Sequence, residues 1–544
     1  MELIEYDYLY KTKPREHQAR AHAAAWGKKY FAFYMEQGTG KSKVAIDLVS
    51  NIYKQTGEID AVLLIAPSGV HEQWFDEQLP EHSPIPYSAY LWEGYPSSHV
   101  RLEQLRAFCW KEVPRLKWFC VNIEAFSADK PMKVFRSYLR KNKVAIIMDE
   151  ATLIKNPTAK CTINIAQELN DVQRNGKRIE RIFLRSVYRF ILTGTMVTNN
   201  PFDQYSYGQF LYPGLWNMSY FAFKAHYGLN MRMKLPGRME NGKEQYVTTL
   251  MRRKDIEKVH SVLAQGFRPE DIAAKMHIPC QAVTYLNAHP DCVVPYKNLS
   301  ELKEKMSTFS FSVLKKDCYD LPEKQHLKVP VYLSAEQQRV YKELVKNMYA
   351  EYDEHELDVT IKLTLLMRLA QVTGGFFPHN EGEKPIRIKG NGKLEAIKRE
   401  LQEQDGAPLI IAARFTAELE LLREEIGAEL IYGRSSSEER RELLNRFKAG
   451  EVPILGVQPE CVKYGFNLQV SHEMWIYSND FSLDTREQLE DRIHRDGQTA
   501  TSVVYRDFIA KGTIDERVYE VLREKKELLE YMRETEIGEF YGTN

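Results

Sequence analysis

The segment MEQGTGKS, Met35–Ser42, constrains this chain more than any other, because it follows directly on an apolar run, Tyr30–Met35. Glycines at 38 and 40 let the backbone bend so that its N–H groups point at an anion. From the end of such a loop Lys41 reaches the β- and γ-phosphates of a nucleotide, and the Ser42 hydroxyl suits Mg²⁺. A helix from about Lys43 then aims the positive end of its dipole at the same charge. Strand, glycine loop and helix in that order open a parallel α/β sheet. Gln37, Gly38, Thr39 and Gly40 are therefore expected to line an ATP site with Lys41 and Ser42. The full pattern, G-x-x-x-x-G-K-[ST], asks for glycine at position 35, where this chain has Met35.

Further apolar runs recur at Ala61–Ala66, Lys117–Val121, Val144–Met148 and Phe190–Leu192, with helical stretches such as Lys43–Tyr53 between them. Runs of this length, apolar on both faces, predict buried parallel strands. Val144–Met148 delivers Asp149 and Glu150 to its C-terminal end, where open α/β sheets bind their ligands. Asp149 is suited to hold Mg²⁺ through its water shell, and Glu150 to polarise an attacking water. Two solvated acids at a strand end are the bland alternative, and the phosphate loop upstream weighs against it.

From about residue 391 the α/β rhythm repeats. NGKLEAIKREL predicts a helix, and Pro408–Ala412, Val452–Val457 and Glu473–Tyr477 predict strands. YGRSSSEERRELLNRF, Tyr432–Phe447, carries a Ser-x-x-Glu start that reads as a capping box. In QLEDRIHRDGQ, Gln488–Gln498, Arg492 and Arg495 stand three apart and would share one face of a helix. Facing the phosphate loop across a cleft, they would neutralise charge on the γ-phosphate, a role worth about 10³–10⁵ in rate.

Residues 254–286 break this rhythm. Val259, Leu263, Phe267, Ile272, Ala273, Met276, Ile278, Val283 and Leu286 are expected to form a compact apolar set on three short helices. The segment resembles a helix-turn-helix of the resolvase or regulator type, with Pro279–Leu286 in the recognition position. Gln281 and Thr284 would then face a DNA groove, and Arg252, Arg253 and Lys254 would meet phosphate. A helical hairpin that only props up its neighbours is the alternative. A third possibility is tetrahedral zinc on His277, Cys280, His289 and Cys292.

Composition bounds the rest. The 544 residues are enough for two or three domains, and Lys+Arg and Asp+Glu both number 75, so bulk positive charge does not drive nucleic-acid binding. The seven cysteines, without a Cys-x-x-Cys, fit a reducing cytosol. The first residues, MELIEYD, hold no basic stretch followed by an apolar run, so an export signal is not expected, and no long uncharged apolar stretch predicts a membrane partner.

MEQGTGKS, LLIAPSGVHEQW (Leu63–Trp74), IIMDEATLIKNP (Ile146–Pro157) and ILTGTMVTNN (Ile191–Asn200) resemble, in order and spacing, the motifs of Swi/Snf-like superfamily two helicases. QLEDRIHRDGQ is similar to the last motif of those motors, and FSVLKKDCYDLPEKQ followed by SAEQQRVYKEL to the link between their two halves. The resemblance implies an α/β fold of two RecA-like domains with a helical protrusion between them. The expected bounds are 1–225 for the first, 226–330 for the protrusion with its insertion at about 254–290, 331–512 for the second, and 513–544 for a C-terminal brace helix.

The resemblance also implies residue roles. Gln18 in PREHQARAH would read adenine, Gly465 and Gln498 would lie on the nucleotide, Thr193 and Thr195 would link the ATP and DNA sites, and Ser68 would touch the DNA backbone. Two departures stand out. The family's Asp-Glu-Ala-His ends here in Thr152, and its glycine pair is replaced in CVKYGFNL, Cys461–Leu468. The implied activity is ATP hydrolysis with Mg²⁺ driving movement on double-stranded or branched DNA, in replication, recombination or repair. A helix-turn-helix-directed motor that clears proteins from DNA, and an ATP-gated DNA-binding switch that does not move, are the alternatives. A compact motor of this kind suits the cytoplasm and nucleoid of a bacterium or a phage-infected cell.

Overall fold

The computed structural model describes residues 8–166, 185–194, 201–212, 214–240, 243–292, 295–352, 359–378, 384–404, 406–462, 467–524 and 526. The chain divides into two compact units, Met1–Met233 with Thr248–Tyr319, and Lys234–Val247 with Asp320–Asn544.

In the first unit the strands are β1 (Tyr30–Met35), β2 (Ala61–Ala66), β3 (Tyr87–Leu91), β4 (Leu116–Asn122), β5 (Val144–Asp149) and β6 (Tyr188–Thr193). After the two-stranded sheet of β7 (Asn230–Glu240) and β8 (Lys243–Leu250) comes β9 (Ser310–Val313). The main sheet runs β3-β4-β2-β5-β6-β1-β9, and every neighbouring pair is parallel. Such a sheet must be covered on both faces. The sequences FAFYM and AVLLIA meet that demand, with Phe31, Phe33, Val62 and Leu64 packed with Val44, Leu48, Trp74 and Trp118 in one dry core. Each strand therefore ends at the same edge, and there β1 delivers the glycine loop and β5 the two acids. The strand β9 lies inside the range expected to be a helical protrusion. It is instead the edge strand of this sheet, with Phe33 opposite Phe311.

The second unit holds β10 (Glu323–Val331), β11 (Leu409–Ala412), β12 (Glu429–Ile431), β13 (Ile454–Val457), β14 (Glu473–Ile476) and β15 (Ser502–Ala510). Its order is β10-β15-β14-β11-β13-β12, again parallel throughout. Two parallel α/β sheets are thus the architecture, as the sequence implies. The capping box at Ser436 is present, with Ser436 Oγ accepting from Glu439 N at 3.2 Å and Glu439 Oε2 from Ser436 N at 2.7 Å. Of the C-terminal brace expected at 513–544, residues 514–524 are helical.

The insertion forms three helices, Arg253–Ala264, Pro269–Met276 and Cys280–Ala288. Ile256, Val259, Ile272, Ala273, Ile278, Ala282, Val283 and Leu286 make its core, which Leu229 and Met251 extend. Phe267, expected in that core, is 54% exposed, because it sits in the turn between the first two helices and not on either apolar face.

Candidate nucleotide site

The loop after β1 is built by two glycines in the left-handed region, Gly38 at φ 86° and Gly40 at φ 82°. A Cβ on Gly40 would be strained at this φ and would also lie 2.2 Å from Gln18 Nε2, so the glutamine amide would have to move. Gln18 comes from the helix Glu16–Ala25, is 8% exposed, and donates to the Thr39 carbonyl at 3.2 Å. His17 Nε2 lies 2.9 Å from the same oxygen. Thr39 Oγ1 donates to the Glu36 carbonyl at 2.7 Å, and the Tyr319 hydroxyl to the Gly38 carbonyl at 3.0 Å. Three loop carbonyls are thereby satisfied by protein groups, a geometry that leaves an anion to be met by N–H groups. Lys41 and Ser42 open the helix Lys41–Thr56 directly after the loop.

Asp149 ends β5 at 6% exposure, and Glu150 follows at 5%. Burial pushes the Asp149 carboxyl up from its ordinary range, opposed by the nearby Lys41 ammonium, the Trp74 indole and the Glu150 N–H. Both its oxygens are held. Trp74 Nε1 donates to Oδ2 at 2.7 Å and Glu150 N to Oδ1 at 3.0 Å. Glu150 itself adopts φ 58°, rare for a residue with a side chain and a form of strain that collects at functional sites. Thr152, where the related motif has histidine, donates its hydroxyl to Glu150 Oε1 at 3.0 Å. The sequence marks neither Trp74 nor Thr152 as acting on these carboxylates. Only the spacing of Thr152, two residues from Glu150, could have signalled it.

Thr193 is fully buried at the end of β6, opposite Tyr34. A Cβ on Gly194 would stand 3.4 Å from Gln37 Cγ and 4.0 Å from Lys41 Nζ, so the end of β6 abuts the loop. Ser68 is exposed in the turn after β2. Thr195 and Gly465 lie outside the described residues.

Metal fit is decided by donor chemistry. Ser42 and Asp149 offer hard oxygens, and Mg²⁺ takes one or two carboxylates with phosphate and water, so no larger ligand cluster is needed. Among the described residues no group of three or more His, Cys, Asp or Glu is placed to hold a metal ion. Zinc on His277, Cys280, His289 and Cys292 is thus not supported. His277 caps a helix at φ 54°, and His289 turns its Nδ1 to the Tyr285 carbonyl.

In the second unit the arginines differ from expectation. The helix Leu483–Glu490 stops before both of them. Tyr505 donates to the Glu490 carbonyl at 2.9 Å, which also accepts from Ile493 N and His494 N, and Arg492 N bonds three residues back to Leu489 O. Arg492 is 6% exposed with Nε on the Gln488 carbonyl, and Arg495 follows in a bend. Gln498 donates to Ser471 O and Ile493 O and accepts from Ala500 N, so it closes the loop on itself. A pocket at the carboxyl edge of this sheet is lined in part by Arg414, Gln458, Asn479, Asp480, Thr485 and Arg486. No motif in the sequence marks these six.

In the insertion Gln281 and Thr284 are both exposed on the helix Cys280–Ala288, and Thr284 Oγ1 donates to the Cys280 carbonyl. Arg252 and Arg253 are exposed and pair with Asp255 and Glu257 on their own helix.

Residues 33–373 match the model of the SNF2-related domain, and residues 392–497 that of the helicase conserved C-terminal domain. The chain is 29% identical over 259 residues to the CHD3-type chromatin-remodeling factor CHR7 of Arabidopsis thaliana, covering 43% of this chain and 21% of that protein. It is 24% identical over 241 residues to the uncharacterized ATP-dependent helicase MG018 of Mycoplasma genitalium, covering 43% of this chain and 23% of the relative. These matches therefore span about a quarter or less of each relative. Among solved structures, the Sulfolobus solfataricus SWI2/SNF2 ATPase core in complex with dsDNA aligns at 21% identity and a TM-score of 0.37, over 97% of this chain and 94% of that one. No helix among the described residues is long and apolar enough to cross a membrane.

Proposed function

The chain belongs to the SNF2-related family, with the two α/β units of a helicase-type ATPase, and from this premise we propose that it hydrolyses ATP to move along double-stranded DNA. The observation that carries this reading is the meeting of the glycine loop with two buried acids at one sheet edge, Glu150 held in a strained backbone. Gln18 orients the adenine, and the loop N–H groups with Lys41 hold the phosphates. Ser42 and Asp149 would hold Mg²⁺, which would supply charge neutralisation to the phosphates. Glu150 takes a proton from the attacking water, its Oε1 fixed for that purpose by Thr152. Arg492 and Arg495 are the arginines we assign to neutralising charge on the γ-phosphate. Thr193 and Thr195 pass the state of the nucleotide to the DNA, whose backbone Ser68 touches.

Branched DNA, met in replication, recombination or repair, is the substrate class we favour for such a motor. A second reading, in which the insertion directs the motor to particular sequences, is favoured by the exposure of Gln281 and Thr284. Enrichment of one motif from a pool of random duplexes supports it, and uniform binding removes it. Movement itself is tested by triplex displacement. A translocase strips the third strand from a duplex only with ATP, whereas a static ATP-gated switch displaces nothing.

A further inference from the structure

Among the described residues, Trp74 donates a side-chain hydrogen bond to Asp149 from an element that also begins at the expected DNA contact. The helical stretch Val70–His82 starts on the loop Pro67–Gly69, where Ser68 and Gly69 are exposed and Gly69 turns the chain at φ 82°. The Pro67 carbonyl accepts from Val70 N at 3.1 Å and His71 N at 3.2 Å, so the loop and the first helical turn are tied together. Residues Trp74–Gln78 then form a π-turn, a wider turn that inserts an extra residue and often marks a functional position. At its first residue the indole is 1% exposed, packs 6.1 Å from Trp118, and places Nε1 2.7 Å from Asp149 Oδ2.

We propose that Trp74 is a positioning residue that holds Asp149 for the metal–nucleotide complex and transmits displacement of the Pro67–Gly69 loop to it. A carboxylate in a dry site keeps one rotamer only if its oxygens are held, and Asp149 has one oxygen on its neighbour's backbone and the other on this indole. The indole is rigid and close-packed, so a shift of the short helix moves its N–H and, with it, Asp149. Thr152, by contrast, bonds to Glu150 and not to Asp149 among the described hydrogen bonds. The loop half of this inference rests on the DNA-motor reading, and the Asp149 half does not.

The test compares wild type, Trp74→Phe and Trp74→His in the full chain. Phe keeps a ring and removes the donor, and His keeps a ring N–H. ADP affinity is measured without metal and with Mn²⁺, free Mn²⁺ being followed by electron paramagnetic resonance, and ATPase stimulation by duplex DNA is measured alongside. The expected result for Trp74→Phe is Mn²⁺-dependent ADP binding weakened at least fivefold, metal-free ADP binding within twofold of wild type, and DNA stimulation reduced at least fivefold. Trp74→His recovers part of both. Trp74→Phe with wild-type metal dependence overturns the inference, and so does an equal loss of metal-free binding, which reports general disruption of the site. A wild type that binds Mn²⁺·ADP yet ignores DNA sinks the motor reading and the loop half, leaving the role on Asp149 to stand or fall by the metal measurement.

Discussion

At the scale of single residues, the site depends on donors that fix two neighbouring acids. Glu150 is strained, buried and held at Oε1 by the Thr152 hydroxyl. A hydrogen bond to a charged group contributes about 1.5–3 kcal/mol, and when it aligns a base it acts on the chemical step. Thr152→Val, close in shape and lacking the hydroxyl, is therefore predicted to lower kcat by roughly tenfold or more while KM for ATP stays within about twofold. Thr152→Ser should restore most of the rate. Steady-state kinetics decide it, and an unchanged kcat in the valine variant would show that Glu150 is positioned by its backbone alone. The same position separates what was legible from what was not. The Asp-Glu pair was readable from its place after an apolar strand. Trp74 was not readable as a partner of Asp149, because the two stand 75 residues apart and meet only through tertiary packing.

At the scale of elements, legibility followed burial in the first sheet, whereas in the second the well-buried β15, SVVYRDFIA, is broken by Arg506 and Asp507 and does not read as an apolar run. Strands β1, β2, β4, β5 and β6 are covered on both faces and appear in the sequence as continuous apolar runs. The half-buried β3, YSAYL, the short β9, SFSV, and the largely exposed β10, EKQHLKVPV, carry no such run. The last helix before the arginines was overextended for a related reason. It ends at Glu490, after which the amides of Arg492 and Ile493 bond three residues back, a tightening that the spacing of the arginines does not reveal.

One element makes a pH-dependent prediction. The helix Thr416–Ile426 begins with Glu418 in its first turn, fully buried, accepting from Phe415 N and the Ser478 hydroxyl. Burial pushes its carboxyl up to about 7, against the pull of Lys393, Ser478 and the Phe415 N–H. A carboxyl raised on folding favours the protonated native state. Its stabilising contribution is complete below the ordinary glutamate range and is lost as pH rises through about 7. Thermal unfolding from pH 5 to 8 should therefore show wild type losing stability relative to Glu418→Gln across that window. Parallel curves would mean the carboxyl is ionised throughout.

At the scale of the whole molecule, each unit repeats one design, a parallel sheet whose carboxyl edge carries the polar residues. The first edge holds the glycine loop, Asp149 and Glu150, and the second holds a pocket with Arg414 and Arg486. Two such units in one chain suit a cycle in which ATP binding and hydrolysis change the grip on a duplex, and a motor of that kind must hydrolyse ATP faster when its track is present. The most direct measurement is steady-state ATP hydrolysis by the full chain, alone and with duplex, forked and single-stranded DNA and RNA, with Glu150→Gln as control. Strong stimulation by duplex or forked DNA, abolished in the variant, is the predicted result. Hydrolysis that is indifferent to every nucleic acid, or equal in the variant, would contradict it.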